Sequence, residues 1–412
     1  MWFLYYISLY AFLLAIRISS LWSEKSLQWL EGRKNWKWSL SQLPEKENSR
    51  IWFHVSSLGE FEQAKPVIEM IKRERPEIEI ILSFFSPSGY NVRSHYQHAT
   101  VIYLPLDLPG NATKFIELVR PDLAVFVKYD LWPGYLKALH QKKIPSILIS
   151  AYWSPRKKFN SWSLPLTEKY LKRFKHIFLQ RNDHLHHFKE KGYKNLSVAG
   201  DTRIDRSLLL PNEIELRLSK IFHELDSYDL VAGSTWPKDE ELLFYAIDKL
   251  NLRTIIVPHD VSADNIKRLT SKLKKPFQLY SNIETDKGDH KVLIMDCVGL
   301  LSVLYSVGKI AYVGGGFGKG IHNILEPAAH KKPILFGPKH LAFPEAGDLI
   351  HEGAAWKINT EVELVSVLHT LLIADNAIRS GQRAYAYLEN NDGATEIVTR
   401  SILESIPYRV SA

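Results

Sequence analysis

The chain has 412 residues, of which 45% are hydrophobic and 12% aromatic, enough for two domains with a core each. A charged fraction of 24% excludes a large disordered portion, and the single cysteine, Cys297, excludes a disulfide framework and a cysteine-built zinc site. A formal charge of +8 points to an anionic partner: nucleic acid, an anionic membrane or a phosphorylated substrate.

The first element in chain order is "MWFLYYISLYAFLLAI", strongly apolar up to Arg17 and extended by "SSLW" to Trp22. It is somewhat short against the ~20 residues of a typical span. Aromatics at both ends (Trp2, Tyr5, Tyr6; Trp22) suit a membrane interface, and Arg17, Lys25, Arg33, Lys34 and Lys37 would keep the body cytoplasmic. No basic segment precedes it and no small-residue cleavage site follows, which argues against a removable signal peptide. Residues 1–22 are therefore expected to be a membrane anchor helix; the alternative is a buried helix of the first domain.

From residue 51, strand-length apolar runs alternate with amphipathic segments: "IWFHVSS", "EIEIILSFF", "TVIYLPL", "DLAVFVKY", "PSILISAYW", "HIFLQ" and "LSVAG". Such strands, separated by helices such as "EFEQAKPVIEMIKRERP", predict a parallel sheet covered on both faces. The rhythm stops over Arg206 to Asp229 and resumes with "LVAGST", "RTIIVP", "KVLIMD", "KIAYVGGG", "KPILFG" and "AAWKI", before a helical tail from about Thr360. The expectation is α/β: a doubly wound domain over 23–206 and a second over 207–412. Ligands of such sheets bind beyond the carboxyl ends of the strands, so the polar clusters that follow strands carry the chemistry.

After the first strand comes Ser57-x-x-Glu60, and in the second domain Asn323-x-x-Glu326. Both have the spacing of a capping box, in which the glutamate only bonds the helix start. The functional alternatives are a general base for Glu60 and a ribose ligand for Glu326. The run "GGGFGKGIHN" fits neither G-x-G-x-x-G nor a P-loop, for want of the right glycine register and of a Ser or Thr after Lys319. What remains is a glycine turn (Gly315, Gly316) leading to a helix start suited to a phosphate, with Lys319 and His322 adding charge. Ser234 and Thr235 follow the strand "LVAGST" and either bond a phosphate or cap the next helix; His259 ends "VPHD", and Lys128 and Asp130 end "VKYD". His184, His186 and His187 lack a completing ligand and read as a solvated helix face. Arg156, Lys157, Lys158, Lys169, Lys172, Arg173 and Lys175 read as a solvated face or a contact for anionic headgroups. No Asp-x-Asp metal clamp occurs, and no aromatic–basic motif supports a nucleic-acid partner.

The ordered set "SSLGE", "FFSPSGY", "YLPLDLPGN", "LAVFVKYDLWP", "ISAYWSPR", "VAGDTRID", "VAGSTWPKDEE", "IIVPHD" and "GIHNILEPAAHKKPILFGP" resembles the 3-deoxy-D-manno-octulosonic acid (Kdo) transferases over nearly the whole chain. That resemblance implies a GT-B fold: two Rossmann-like domains facing a cleft, with a last helix crossing back. It implies transfer from CMP-Kdo to a lipid A precursor (lipid IVA) at the cytoplasmic face of the inner membrane, with inversion and without metal or other cofactor. By the same resemblance Glu60 is the base of an S-x-G-E motif, with Ser57, Gly59 and Asp130 on the acceptor side. Ser234, Thr235, His259, Gly315, Gly316, Lys319, His322, Asn323 and Glu326 would hold the CMP-sugar. Two departures stand out: His259 where many relatives have arginine, and Lys128 where relatives often have an acid. The alternatives are another GT-B transferase with a lipid acceptor, or an inactive membrane protein that binds a nucleotide sugar.

Overall fold

Each strand-length apolar run forms a strand and each amphipathic segment a helix, and the chain does this in two separate units. The computed structural model describes residues 1–128, 131–152, 164–221, 228–283 and 290–406, except the side chains of 164–167 and 212–221. One unit comprises Met1–Asp205 with Asp392–Ala412, the other Arg206–Asn391.

The first unit opens with helices α1 (Trp2–Ser19), α2 (Glu24–Glu31) and α3 (Trp36–Ser41). It continues as β1 (Arg50–Val55), α4 (Leu58–Glu74), β2 (Glu79–Phe84), α5 (Pro87–Arg93), β3 (Thr100–Tyr103), α6 (Asn111–Val119), β4 (Leu123–Val127) and α7 (Pro133–Gln141). Then come β5 (Ser146–Ala151), α8 (Leu164–Leu171), β6 (His176–Leu179), α9 (Asp183–Glu190), β7 (Leu196–Val198) and the start of α10 (Thr202–Ile221), which passes into the second unit at Arg206. The seven strands pair in the order β3-β2-β1-β4-β5-β6-β7, and the register pairs are parallel. Every residue of β1 is buried, because alternate side chains enter two cores: Trp52 joins Phe115 and Phe126 on one face, Phe53 joins Phe61 and Val125 on the other. Arg50 is fully buried at the strand's start, bonded to Glu79 at 2.5 Å and to the Val119 and Pro44 carbonyls.

The second unit runs β8 (Tyr228–Thr235), α11 (Pro237–Leu250), β9 (Thr254–Pro258), α12 (Ala263–Lys272), β10 (Phe277–Leu279), β11 (Val292–Ile294), α13 (Leu301–Leu304) and β12 (Gly308–Val313). It closes with α14 (Leu325–Ala329), β13 (Ile334–Phe336), α15 (Pro344–His351), β14 (Ala355–Lys357), α16 (Glu361–Leu372) and α17 (Asn376–Glu389). Its strands pair in the order β10-β11-β9-β8-β12-β13-β14. The edge strand β10 was not expected from sequence, since "FQL" is three residues long and follows "KKP". The segment expected to be strand-free ends sooner than Asp229, because Tyr228 and Asp229 already belong to β8. A last helix, α18 (Ala394–Glu404), packs on α4 through Val398 and Ile402. Its start is tied by Asp205, whose carboxylate accepts from the Gly393 and Thr395 N–H groups and the Thr395 hydroxyl.

Among the described residues α1 is the one helix long and apolar enough to cross a membrane. It is docked along one row: Tyr5 and Leu9 are buried against Trp29 and Leu106, with Trp2, Leu13 and Ile16 packed beside them. Phe3, Leu4, Ile7, Tyr10 and Leu14 face outward, exposed. Arg33, one of the charges that follow the apolar helix, is buried among the Trp29, Phe85 and Tyr103 rings, 4.0 to 4.9 Å from their centres. It donates to the Trp29, Leu104 and Phe85 carbonyls, and burial lowers its pKa to about 9. It pins α2 to the sheet.

Candidate functional site

In each sheet the strand order reverses beside the first strand, between β1 and β4 and between β8 and β12. Loops diverge there to opposite faces, which leaves room for a ligand at the carboxyl ends. The candidate residues gather at these two places.

At the first, β1 ends at Val55 and the chain passes through Ser56 into α4, with Ser57 as N-cap. Glu60, in the first helical turn, is buried, and its Oε2 accepts the Ser56 N–H at 2.5 Å. This is not the capping box that the spacing predicts. The glutamate bonds the residue before the N-cap, and the Ser57 side chain makes no cap bond. The carboxylate is thus fixed at the positive end of a 17-residue helix. Gly59 is exposed beside it, and a Cβ there would meet only the Ser57 hydroxyl, at 4.0 Å. No described residue requires that glycine. Lys128, the residue after β4, has a positive φ of 60°. Asp130 lies outside the described residues, as do Arg156, Lys157 and Lys158 of the basic cluster.

At the second place the glycine run leaves β12. Gly315 has φ 92°, and its N–H donates to Asp239 at 2.9 Å. Asp239, fully buried on α11, also accepts from the Tyr312 hydroxyl at 2.8 Å and the Trp236 N–H at 3.0 Å. Burial raises its pKa, against those three donors. A Cβ on Gly316 would stand 2.6 Å from the Gly337 backbone, so this glycine lets the turns after β12 and β13 cross. Within the turn, the Gly318 and Gly320 N–H groups bond the Gly315 carbonyl and the His322 N–H bonds the Gly314 carbonyl. The N–H groups of Gly316, Phe317 and Lys319 donate to no described protein acceptor.

The turn does not feed a long helix. It runs on as loop to Ile324, the N-cap of the five-residue α14. Here too the predicted capping box is absent. The Asn323 side chain accepts the Leu325 N–H at 3.1 Å and donates its amide to Glu326 Oε1 at 3.0 Å. Glu326 is half-buried, and its charge bears on the buried Tyr305, helping to raise that phenol's pKa.

His322 does not supply charge, contrary to expectation. Its Nε2 accepts the Trp236 indole N–H at 3.2 Å, which requires the neutral ring, and burial followed by neighbouring His259 lowers its pKa to about 4. His259 stacks between the other two rings, 4.6 Å from Trp236 and 4.7 Å from His322. The result is an aromatic face across the ends of β8, β9 and β12, with Trp236 partly exposed. Thr235 donates its hydroxyl to Glu240 and is buried, so it neither caps α11 nor offers a donor outward; Trp236 is the cap. Ser234, with φ 52°, marks a bulge against β9. Lys319 is exposed on the turn.

The structure thus brings His259, Gly315, Gly316, His322, Trp236 and Asp239 together, the last two missed from sequence. Asp239 had one signal: it lies three residues after a Trp-Pro helix start. Away from these places, His184 is buried against Tyr152 rather than solvated, and burial lowers its pKa.

A family model described as 3-deoxy-D-manno-octulosonic-acid transferase (kdotransferase) matches residues 33–206. The 3-deoxy-D-manno-octulosonic acid transferase of Aquifex aeolicus is 29% identical over 81% of this chain and 89% of its own. That of Haemophilus influenzae is 28% identical over 84% of each. Among solved structures, MurG of Acinetobacter baumannii has a TM-score of 0.57 at 13% identity, covering 87% of this chain and 100% of its own. UDP-GlcNAc 2-epimerase of Methanocaldococcus jannaschii scores 0.54 at 14% identity, over 83% of this chain and 99% of its own. These two likenesses concern the fold, which is of the GT-B kind.

Proposed function

We propose that this chain, which belongs to the Kdo transferase family and is a glycosyltransferase, moves Kdo from CMP-Kdo to the lipid A precursor lipid IVA in lipopolysaccharide synthesis. Glu60 takes the proton of an acceptor hydroxyl. The hydroxyl oxygen bonds the anomeric carbon of Kdo as the bond from that carbon to the CMP phosphate oxygen breaks, with inversion and no metal. The observation that carries this reading is the Glu60 carboxylate, buried and backbone-fixed where the first sheet reverses its order. Gly59 supports it: among the described residues, a Cβ there would meet only the Ser57 hydroxyl, at 4.0 Å. Close approach of a substrate accounts for it.

The second unit holds the nucleotide. The Gly316, Phe317 and Lys319 N–H groups, with the Lys319 ammonium, take the phosphate, and Glu326 accepts the ribose hydroxyls from beside Asn323. The exposed edge of Trp236 beside His259 is a surface on which the base can lie. With His322 neutral, and His259 where many relatives carry arginine, the lysine and the turn supply the positive potential. The outward face of α1 would lie in the inner membrane's cytoplasmic leaflet and keep the enzyme at its lipid acceptor.

The test is transfer of Kdo from CMP-Kdo to lipid IVA in detergent with EDTA present. Product in the wild type supports the reading. CMP binding without product favours an inactive nucleotide-sugar-binding protein, and tighter binding of UDP than CMP points to another GT-B transferase.

A further inference from the structure

Asp107 lies in "LPLDLPG" after β3 and is 1% exposed. Its Oδ2 accepts the Tyr5 hydroxyl of α1 at 2.7 Å and the Gly134 N–H at the start of α7 at 2.6 Å. The second bond meets one of the donors that any helix start leaves open. The fit has no slack, since a Cβ on Gly134 would stand 2.0 Å from Oδ1. Next to it the Tyr135 hydroxyl donates to the Pro105 carbonyl at 2.8 Å, so the 105–107 segment holds the start of α7 twice.

From Gly134 the chain runs back through Pro133 to Trp132, whose indole N–H donates to His54 Nε2 at 3.2 Å. His54 is buried on β1, two residues before the Ser56 N–H that holds Glu60. The Trp132 ring also packs 4.8 Å from Phe85, which in turn meets Phe12 of α1. A continuous set of bonds and packed rings therefore leads from the apolar helix to the strand that presents the base.

We propose that Asp107 is a positioning residue. Through Tyr5 and Gly134 it clips α1 to the start of α7, so that the helix on the lipid and the sheet edge carrying Glu60 move as one piece. This has its stated consequence only on the reading above, in which Glu60 acts on a membrane lipid. The head of such a lipid is held at a set depth by its acyl chains, so a rigid clip fixes the height at which Glu60 meets it. A flexible tether would concentrate the enzyme at the membrane without setting that height.

Tyr5→Phe removes one hydroxyl and keeps the packed ring. The expected result is a roughly tenfold rise in KM for lipid IVA in phospholipid vesicles, the loss of one buried hydrogen bond. KM for CMP-Kdo and vesicle binding should not change, and the thermal midpoint should fall by no more than about 4 °C. Amide exchange of residues 131–135 should speed up. Asp107→Asn, which keeps the shape, should move both quantities in the same direction. Unchanged acceptor KM together with unchanged exchange at 131–135 in Tyr5→Phe overturns the proposal. If the wild type transfers no Kdo, the functional reading fails instead, and the exchange measurement still decides whether the clip exists.

Discussion

The carboxyl edges of the two sheets carry the same spacing, Ser57-x-x-Glu60 and Asn323-x-x-Glu326, and build different things from it. Glu60 is buried, bonded to backbone, and sits on a helix of 17 residues. Glu326 is half-buried, bonded to a side chain, and sits on a helix of five. Backbone fixing suits a group that must meet one proton at one place. A side-chain partner that can itself bond a ligand suits the grip on a diol. The edges also share a device: a buried aspartate under each holds a glycine N–H, Asp107 at Gly134 and Asp239 at Gly315. Spacing proposes candidates; the local backbone assigns their work.

That contrast breaks most sharply at the glutamates. Glu60→Gln is predicted to lower kcat by roughly 10²–10⁴-fold, the usual worth of a general base, with nucleotide affinity kept; rapid-quench transfer and calorimetric CMP binding check it. Glu326→Gln should show the reverse pattern, weakening CMP roughly 10–100-fold through loss of charge-assisted bonds, with a smaller effect on kcat. Gly315→Ala should destabilise the second unit by about 2–3 kcal/mol in denaturant melts, since φ is 92° and the added Cβ would stand 2.5 Å from the Gly320 carbonyl oxygen.

Smaller effects sharpen the comparison. Burial pushes the Asp107 carboxyl from its ordinary 3.8 up to about 7, so the folded chain keeps a proton that the unfolded chain has lost. Its contribution to stability therefore falls as pH rises from about 4 to about 7. Asp107→Asn removes that slope, so the variant's deficit relative to wild type should shrink over this window in melts at stepped pH. Least of all, His322 should show no titration above about pH 5 in its ring proton shifts, because its pKa lies near 4.

Much of the fold was legible in the sequence. The inner strands of the first unit were near-continuous apolar runs, because a parallel sheet buries both faces of its inner strands, whereas the edge strands β3 and β7 are only partly buried. The second unit lost only β10, too short to carry a period. The site was legible as residue types at strand ends and less so as chemistry. His322 reads as a cation until Trp236, 86 positions away, is seen to bond it. Arg33 reads as one of the charges flanking the apolar helix until the rings of Phe85 and Tyr103 are seen to close over it. Asp107 stands in "YLPLDLPGN", but its role was not legible, since both of its partners, Tyr5 and Gly134, are remote in the chain. Charge and hydrogen-bond state are set by tertiary neighbours that a local pattern does not contain.

The most direct test of the central claim is the single-turnover rate of Kdo transfer from CMP-Kdo to lipid IVA in Glu60→Gln, with both substrates saturating and EDTA present. A rate lower by at least roughly a hundredfold, with CMP affinity equal to wild type, is what a base at Glu60 requires. A rate close to wild type would make Glu60 only a holder of the Ser56 N–H, and the catalytic assignment would be wrong.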